Sequence, residues 1–268
     1  MINAPTDLLK AARVAEQAAY AAGTHLQASR SRLSEVVITH KAPGDVVNAI
    51  EHEARSLIRG VVLRQFPGHR FVGEPGSDDA GVLADGRPVW TVDALDEAVN
   101  YLRGYPQYAV TIALVERGEP QVGVVYDPSR NEFFGAIRGH GAVLNGAPIR
   151  CAKPRATAES LAATVFPKPA SAHMPVYMAE LGRVLRAFSG VRRSGSMALE
   201  LAYLAAGRID AFWAHDIGAW ECAAGVVLSR EAGALIHARD GLPVLASHTV
   251  LACTAGLFEP LLSLLAEP

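Results

Sequence analysis

The chain has 268 residues, half of them apolar and 19% charged, so it is long enough to bury a large core. A formal net charge of −2 without any block of like charges argues against a broad nucleic-acid-binding surface. The apolar stretches are interrupted by charge well before the roughly 20 residues that a membrane-spanning helix needs. The N-terminus lacks the pattern of a signal peptide, and we therefore expect a cytoplasmic protein.

Two helices are predicted in the first quarter of the chain. Apolar residues recur at helical spacing over 6–28, where Gly23 is a possible interruption. A second helix is expected over 46–65, because Ile50, Ala54 and Ile58 repeat every four residues before "FPGH" breaks the pattern.

Short strands dominate the next section of the sequence. The segments "VWTVD", "AVTIALVE", "QVGVVYD" and "NEFFGAI" are rich in β-branched and aromatic residues and predict an antiparallel meander, followed by a hairpin in "GHGAVLNGAPI". Beyond residue 150, strands alternate with helices, one of them expected over 177–188. This change predicts an α+β N-terminal subdomain over 1–150 and an α/β C-terminal subdomain over 151–268.

The segment "WTVDALDEAVNYLRGYP" places two carboxylates, Asp93 and Asp96, where a buried strand ends. Such residues either cap a following helix or bind a hard cation, since Mg²⁺ prefers oxygen ligands and often takes only one or two carboxylates from the protein. Further acidic residues favour the cation site. Glu74 follows another apolar strand start in "FVGEPGSDD", and Glu221 lies in the first turn of a predicted helix in "AHDIGAWECAAG".

These segments, with "HKAPGDVVNAIEHEA" before them and "RRSGSMALELAYLAAGRIDAF" between them, resemble the inositol monophosphatase family in order and spacing. The family pattern includes a G-E-E turn, a W-x-x-D-P-[IL]-D-G-T-x-N-[FY]-x-x-x-x-P segment, an R-x-x-G-S-x-A segment and a late W-D-x-A-A-G. The resemblance covers about 41–233. It implies a layered αβαβα sandwich, which is a mixed α+β and α/β fold. It also implies a magnesium-dependent phosphatase activity.

The resemblance also implies a set of site residues. The catalytic residues would be Glu74, Asp93 and Asp96, and the metal ligands would be these three with the carbonyl of Leu95 and the carboxylate of Glu221. Mg²⁺ would neutralise the phosphoryl oxygens, activate the attacking water and stabilise the leaving alkoxide. The substrate would be a small phosphate monoester, held by residues that the resemblance and the neighbouring sequence assign to substrate: Glu97, Ala98, Gly195, Ser196, His215 and Asp216.

The sequence departs from the family pattern inside this expected site. D-P-x-D-G-T becomes D-A-L-D-E-A, so that Glu97 stands for the glycine and Ala98 for the threonine whose hydroxyl orients water. If the family's glycine has a positive φ, Glu97 must be strained or the loop must differ. Pro75 replaces the second acid of G-E-E, and Ala214 replaces an acid that binds substrate hydroxyls, so specificity for inositol phosphate does not carry over.

Several residues have more than one interpretation. His215 and Asp216 either replace the acid lost at Ala214 or belong to a solvated loop. Arg192 and Arg193 either meet substrate or a partner subunit, or form surface ion pairs. The three cysteines, Cys151, Cys222 and Cys253, lack C-x-x-C spacing and fit reduced thiols; Cys222 is typical of a packed thiol rather than of a nucleophile.

Two functions therefore remain open. The first is a Mg²⁺-dependent phosphatase with altered or reduced activity. The second is a non-catalytic relative that keeps the fold as a regulatory or partner-binding protein. The family resemblance leads us to expect a homodimer in either case.

Overall fold

A computed structural model of the chain describes residues 7–30, 38–42, 45–73, 86–153 and 156–266, with the backbone alone at 38–42 and 45–48. In the N-terminal half, the elements are α1 (Leu8–Ser29), β1 (Ile38–Ala42), β2 (Asp45–Asn48), α2 (Ala49–Gln65), β3 (Arg70–Val72), β4 (Val89–Asp96), α3 (Ala98–Arg103), β5 (Ala109–Glu116), β6 (Glu119–Asp127), β7 (Glu132–Ile137), β8 (Ala142–Leu144) and β9 (Ala147–Ile149).

The C-terminal half alternates strands and helices. Its elements are β10 (Leu161–Thr164), α4 (Met174–Ala187), β11 (Gly190–Arg192), α5 (Met197–Ala205), β12 (Ala211–His215), α6 (Ala219–Glu231), β13 (Leu235–His237), β14 (Thr249–Cys253) and α7 (Phe258–Ala266). Short 3₁₀ turns lie at Thr157–Glu159, Val244–Ala246 and Ala255–Leu257.

The strands described form one large sheet, one smaller sheet and the β1–β2 hairpin. The large sheet has the order β3-β4-β5-β6-β7-β8-β9, and the smaller one has the order β11-β10-β12-β14-β13. From β4 to β9 every neighbouring pair is antiparallel, as the predicted meander and hairpin require. The smaller sheet is mixed, since β10 pairs in parallel with both β11 and β12.

Alternating side chains contribute to three apolar clusters between the helices and the sheets. In β4 and β5, Trp90 and Ile112 pack with α1 and α2, whereas Ala113 faces α5 and α6. In β12, Phe212 packs on the same pair α5 and α6, whereas Trp213 packs with α4 and α7. Because side chains alternate between the two faces of a strand, these contacts define five layers in the order αβαβα.

Gly23 lies inside a continuous α1, so the possible interruption at this residue is wrong. A β-carbon there would lie 2.3 Å from the Tyr126 ring, and the glycine therefore permits close packing of α1 on β6. The second helix begins at Ala49 rather than at residue 46, because 45–48 form strand β2. The helix predicted over 177–188 spans Met174–Ala187, and the division into subdomains at residue 150 stays a prediction.

Within the described residues, no helix combines the length and the apolar character that crossing a membrane requires.

Candidate functional site

A cavity with a volume of about 720 Å³ lies where the two sheets and the starts of several helices meet. Nine of the predicted residues line it: Asp93, Leu95, Asp96, Glu97, Ala98, Gly195, His215, Asp216 and Glu221. Ser196 lies behind this wall, and Glu74 lies outside the described residues. The structure therefore brings together segments that are more than 120 residues apart in the sequence.

Asp93 lies near the end of β4, where the regular pairing with β5 is interrupted before Asp96. Its Oδ1 accepts a hydrogen bond from the backbone N–H of Leu95 at 3.0 Å, which fixes the carboxylate. Burial raises the pKa of Asp93 to about 7, with repulsion from Glu51 adding to the effect and Arg55 opposing it. A desolvated carboxylate of this kind gains from a nearby cation.

Asp96 is buried and has partners a hundred residues away. Its Oδ2 accepts a hydrogen bond from the Ser196 hydroxyl at 2.5 Å and another from the Ala198 N–H at 3.0 Å. Burial, and then repulsion from Asp93, hold the pKa of Asp96 well above its usual range despite these bonds. Because Ala198 lies in the first turn of α5, Asp96 supports the start of that helix rather than the start of α3.

Glu97 precedes α3 in a left-handed conformation, with φ 67° and ψ 60°, and its side chain makes no capping bond. This conformation suits glycine and costs other residues about 1 kcal/mol or more. The side chain packs against Gly195, where a β-carbon would lie 2.9 Å from Glu97 Cδ. Burial raises the pKa of Glu97, and the opposing attraction of Arg193 only moderates this rise. The sequence left two alternatives, a strained Glu97 or a different loop, and the structure shows the strained Glu97.

The loop after Glu97 is tied to the opposite side of the cavity by Asn100. Its Nδ2 donates to the carbonyl of Gln107 at 2.7 Å and to that of Ser194 at 2.9 Å. This bridge fixes the position of Ala98, which lines the cavity with a methyl group. The site thus has a well-supported loop but no hydroxyl at this position.

Glu221 lines the cavity from the first turn of α6. Its Oε2 accepts the backbone N–H of Gly218 at 2.6 Å, so one carboxylate oxygen already supports the start of its own helix. The neighbouring Cys222 is buried, and burial followed by repulsion from Glu221 raises the pKa of its thiol to about 12. A thiol with such a pKa is protonated at neutral pH, in agreement with a packing role.

His215 and Asp216 form part of a polar network, and the solvated-loop alternative is wrong for His215. This residue is the last of β12 and is only 5% exposed, with its Nε2 2.7 Å from Glu180 Oε2. Arg239 pairs with the same glutamate. Asp216, at φ 58°, lies 2.6 Å from His173 Nδ1 through its Oδ1. The network holds both residues in the wall of the cavity.

Arg193 also lines the cavity, and its guanidinium lies over the ring of Phe166 at 4.5 Å from the ring centroid. Lys168 lies in the same wall. This side of the site therefore combines positive charge with an aromatic surface. Such a combination suits an anionic substrate with an extended organic group.

Among the cavity residues that the sequence analysis did not identify, Arg55 is a buried cation. It lies one turn after Glu51 on α2 and pairs with it, and their side chains are only 10% and 9% exposed. Both residues line the cavity together with Asp93. The four-residue spacing of the pair was visible in the sequence, but such pairs on helices are usually solvent-exposed, and periodicity alone does not reveal a buried one.

The donor set fits a divalent cation in part. Asp93 and Asp96 share one wall, are poorly hydrated and repel each other, which are conditions that an added cation relieves. Over the ranges that the structure describes, however, no three His, Cys, Asp or Glu side chains are arranged as a complete metal site. Glu74, the expected third acid, falls in the undescribed segment 74–85. Asp93 and Asp96 are therefore the described carboxylates whose surroundings favour a bound cation, and the assignment of Glu221 as a further ligand stays a prediction.

Comparisons with known proteins agree with this architecture. The sequence matches the model of the Inositol monophosphatase family over residues 7–267. It is 37% identical over 217 residues to an inositol-1-monophosphatase of Rhizobium meliloti, with 81% of each chain covered. It is also 36% identical to the Nus factor SuhB of Vibrio cholerae, with 83% of each chain covered.

Solved structures show the same fold. The extragenic suppressor protein suhB of Bartonella henselae superposes with a TM-score of 0.88 at 32% identity, covering 95% of this chain and 98% of the other. The inositol monophosphatase of Anabaena gives a TM-score of 0.81 at 31% identity, with coverage of 97% and 96%. The predicted αβαβα sandwich is thereby confirmed, and the chain belongs to the inositol monophosphatase family.

Proposed function

We propose that the protein is a Mg²⁺-dependent phosphatase that hydrolyses a small, inositol-phosphate-like phosphate monoester with reduced or altered activity. The main support is the position of Asp93 and Asp96, a half-buried and a buried carboxylate that line one cavity large enough for such a substrate. Relatives at 36–37% identity carry the name inositol-1-monophosphatase, which supports the same reaction class.

In this proposal, the bound cation would neutralise the phosphoryl oxygens and activate water. The chain's own residues would orient the ligands: the Leu95 N–H fixes Asp93, and the Ser196 hydroxyl with the Ala198 N–H fixes Asp96. His215 and Asp216 would orient the leaving group from the end of β12. Glu74 remains our proposed residue for orienting the attacking water.

Glu97 and Ala98 support the reduced activity. The carboxylate of Glu97 lines the cavity and would repel a phosphate dianion when ionised. Ala98 offers no hydroxyl to orient water. Losing one group that orients or stabilises the reacting atoms commonly costs on the order of 10²-fold in rate.

The same two residues, together with relatives named Nus factor SuhB, favour a second candidate. In it, the protein keeps the fold as a non-catalytic regulatory or partner-binding protein. We also propose a cytoplasmic homodimer for both candidates, and light scattering of the purified protein would test the dimer.

Restoring the family residues tests the proposed function directly. The double variant Glu97→Gly with Ala98→Thr should raise Mg²⁺-dependent phosphate release by at least about tenfold, because it removes the repelling charge and restores the hydroxyl. The assay is colorimetric phosphate release from a panel of sugar, inositol and nucleotide phosphates, with EDTA as a blank.

The variant Arg117→Gly is a matched control, since Arg117 also has a positive φ, 53°, but does not line the cavity. It should leave phosphate release unchanged. If the double variant binds metal and still releases no phosphate from any substrate, the non-catalytic candidate replaces the phosphatase.

A further inference from the structure

Arg55 is a buried cation at the acidic end of the cavity. Its side chain is 10% exposed and pairs with Glu51, and both line the cavity beside Asp93. Burying a guanidinium is unfavourable unless a carboxylate pairs with it. Glu51 supplies that pairing, so the two side chains hold each other in the wall of the cavity.

The location of Arg55 is fixed by its helix. Ile50, Ala54, Ile58 and Val62 are buried along one face of α2, which packs against β4. Glu51 and Arg55 each follow one of these apolar residues by one position, and both are buried as well. Arg55 is therefore held beside the carboxyl end of β4 by the packing of the whole helix.

We propose that Arg55 is a built-in counter-ion of this site, which neutralises Glu51 and competes with a divalent cation for the carboxylate of Asp93. This inference rests on the proposed use of a metal ion in the cavity and predicts that Arg55 lowers the affinity for that ion. It assigns to Arg55 the role of a positioning residue, which acts on the ion through the carboxylates.

The electrostatic effect follows from the charge of Arg55 and from its place in the same cavity wall as Asp93. A fixed positive charge lining the same cavity repels a divalent cation, and the low hydration of the site strengthens that repulsion. Arg55 also donates a hydrogen bond to Oε1 of Glu51, so this oxygen is less available as a ligand for a cation. Removing the positive charge should therefore increase the affinity for divalent cations.

The test is calorimetric titration of Mn²⁺ into the metal-free protein and its variants. Arg55→Gln removes the charge and keeps a donor for Glu51, and it should tighten Mn²⁺ binding by about tenfold or more. Arg55→Lys keeps the charge and should bind Mn²⁺ with the same affinity as the wild type. Arg59→Met is the matched control, because Arg59 is exposed on the same helix and lies over Phe71 outside the cavity.

An unchanged Mn²⁺ affinity in a folded Arg55→Gln protein would overturn the proposal. If Arg55→Gln does not fold in the absence of metal, circular dichroism in saturating Mn²⁺ tests whether the ion can replace the guanidinium. Recovery of the fold would show that the ion replaces the guanidinium, whereas failure to recover it would mean that Arg55 has only a structural role and would also overturn the proposal.

Phosphate release measured on the same samples separates this inference from the proposed function. Tighter Mn²⁺ binding in Arg55→Gln without phosphate release from any variant, including Glu97→Gly with Ala98→Thr, would sustain the counter-ion and reject the phosphatase. Phosphate release together with the same Mn²⁺ affinity in Arg55→Gln and in the wild type would support the phosphatase and reject the counter-ion.

Discussion

Individual residues set the charge balance of the site. Asp93 and Asp96 could be predicted from the sequence, because their spacing at the end of an apolar strand directs both toward one edge of the sheet. Backbone strain at Glu97 could be predicted from its place at a family glycine, and the structure shows this residue in a left-handed conformation with φ 67°. Arg55 could not be predicted, since the sequence does not show which face of α2 borders the cavity.

The raised pKa of Asp93 leads to a prediction about pH. A carboxyl whose pKa rises from about 3.9 in the unfolded chain to about 7 in the folded protein stabilises the fold at low pH and loses that contribution as pH rises through about 7. Asp93→Asn removes this loss. Without metal, the free energy of unfolding of the variant relative to that of the wild type should therefore increase by on the order of a few kcal/mol as the pH rises from 5 to 8.

Urea denaturation at pH 5 and pH 8 with EDTA measures this difference. Glu159→Gln, at an exposed carboxylate, should show no such change between the two pH values. With Mn²⁺ present, Asp93→Asn should bind the ion several-fold more weakly than the wild type. An equal Mn²⁺ affinity in both proteins would remove Asp93 from the ligand set.

At the scale of elements, the start of α5 connects the site to the fold. Ser196 is the N-cap of this helix; it accepts the N–H of Leu199 at 3.2 Å and donates to Asp96. One serine thus satisfies a helix terminus and a buried carboxylate at once. The family resemblance assigned Ser196 to substrate, but the structure places it behind the cavity wall, where it supports Asp96.

Replacing this cap should be costly. Ser196→Ala should lower the free energy of unfolding by about 2 kcal/mol or more, because it removes the cap and leaves Asp96 with one donor fewer. Asp7→Ala is a suitable comparison, since Asp7 caps α1 through an exposed bond to Lys10 and its loss should cost only about 1 kcal/mol. Equal losses in urea denaturation would mean that the bond to Asp96 adds nothing.

The elements also show where sequence patterns fail. The meander from β4 to β7 could be predicted, because each strand is long, β-branched and bounded by turn residues. Strand β13 could not be predicted, since its three residues form a strand only by pairing with β14 across an intervening loop. Strand β2 was assigned to the second helix, because apolar residues at 46 and 47 extend the helical pattern backwards.

For the whole molecule, the layered arrangement could be predicted only from the family resemblance. Periodicity indicates which face of a strand is buried but not which helix covers it. The sandwiching of α5 and α6 between two sheets appears in the contacts of Phe212 on one side and Ala113 on the other. The cavity lies at the meeting point of these layers, so binding there should stabilise the entire fold.

Added Mg²⁺ should therefore raise the melting temperature of the protein. At an ion concentration 100-fold above the dissociation constant, linkage supplies about 2.7 kcal/mol, which corresponds to several degrees in a protein of this size. Differential scanning fluorimetry with and without millimolar Mg²⁺ measures the shift, and Asp93→Asn should reduce it. Identical melting curves with Mg²⁺ and with EDTA would contradict a formed metal site.

The bonds from Ser196 and Ala198 to Asp96 also have a consequence for the order of events during synthesis. Asp96 leaves the ribosome a hundred residues before its partners, which at about 5–20 residues per second is a delay of roughly 5–20 seconds. Throughout that interval the nascent β4–β7 meander must keep this carboxylate hydrated. The wall of the cavity is completed only when α5 docks, so a truncated N-terminal product has the acidic segment without the residues that orient it.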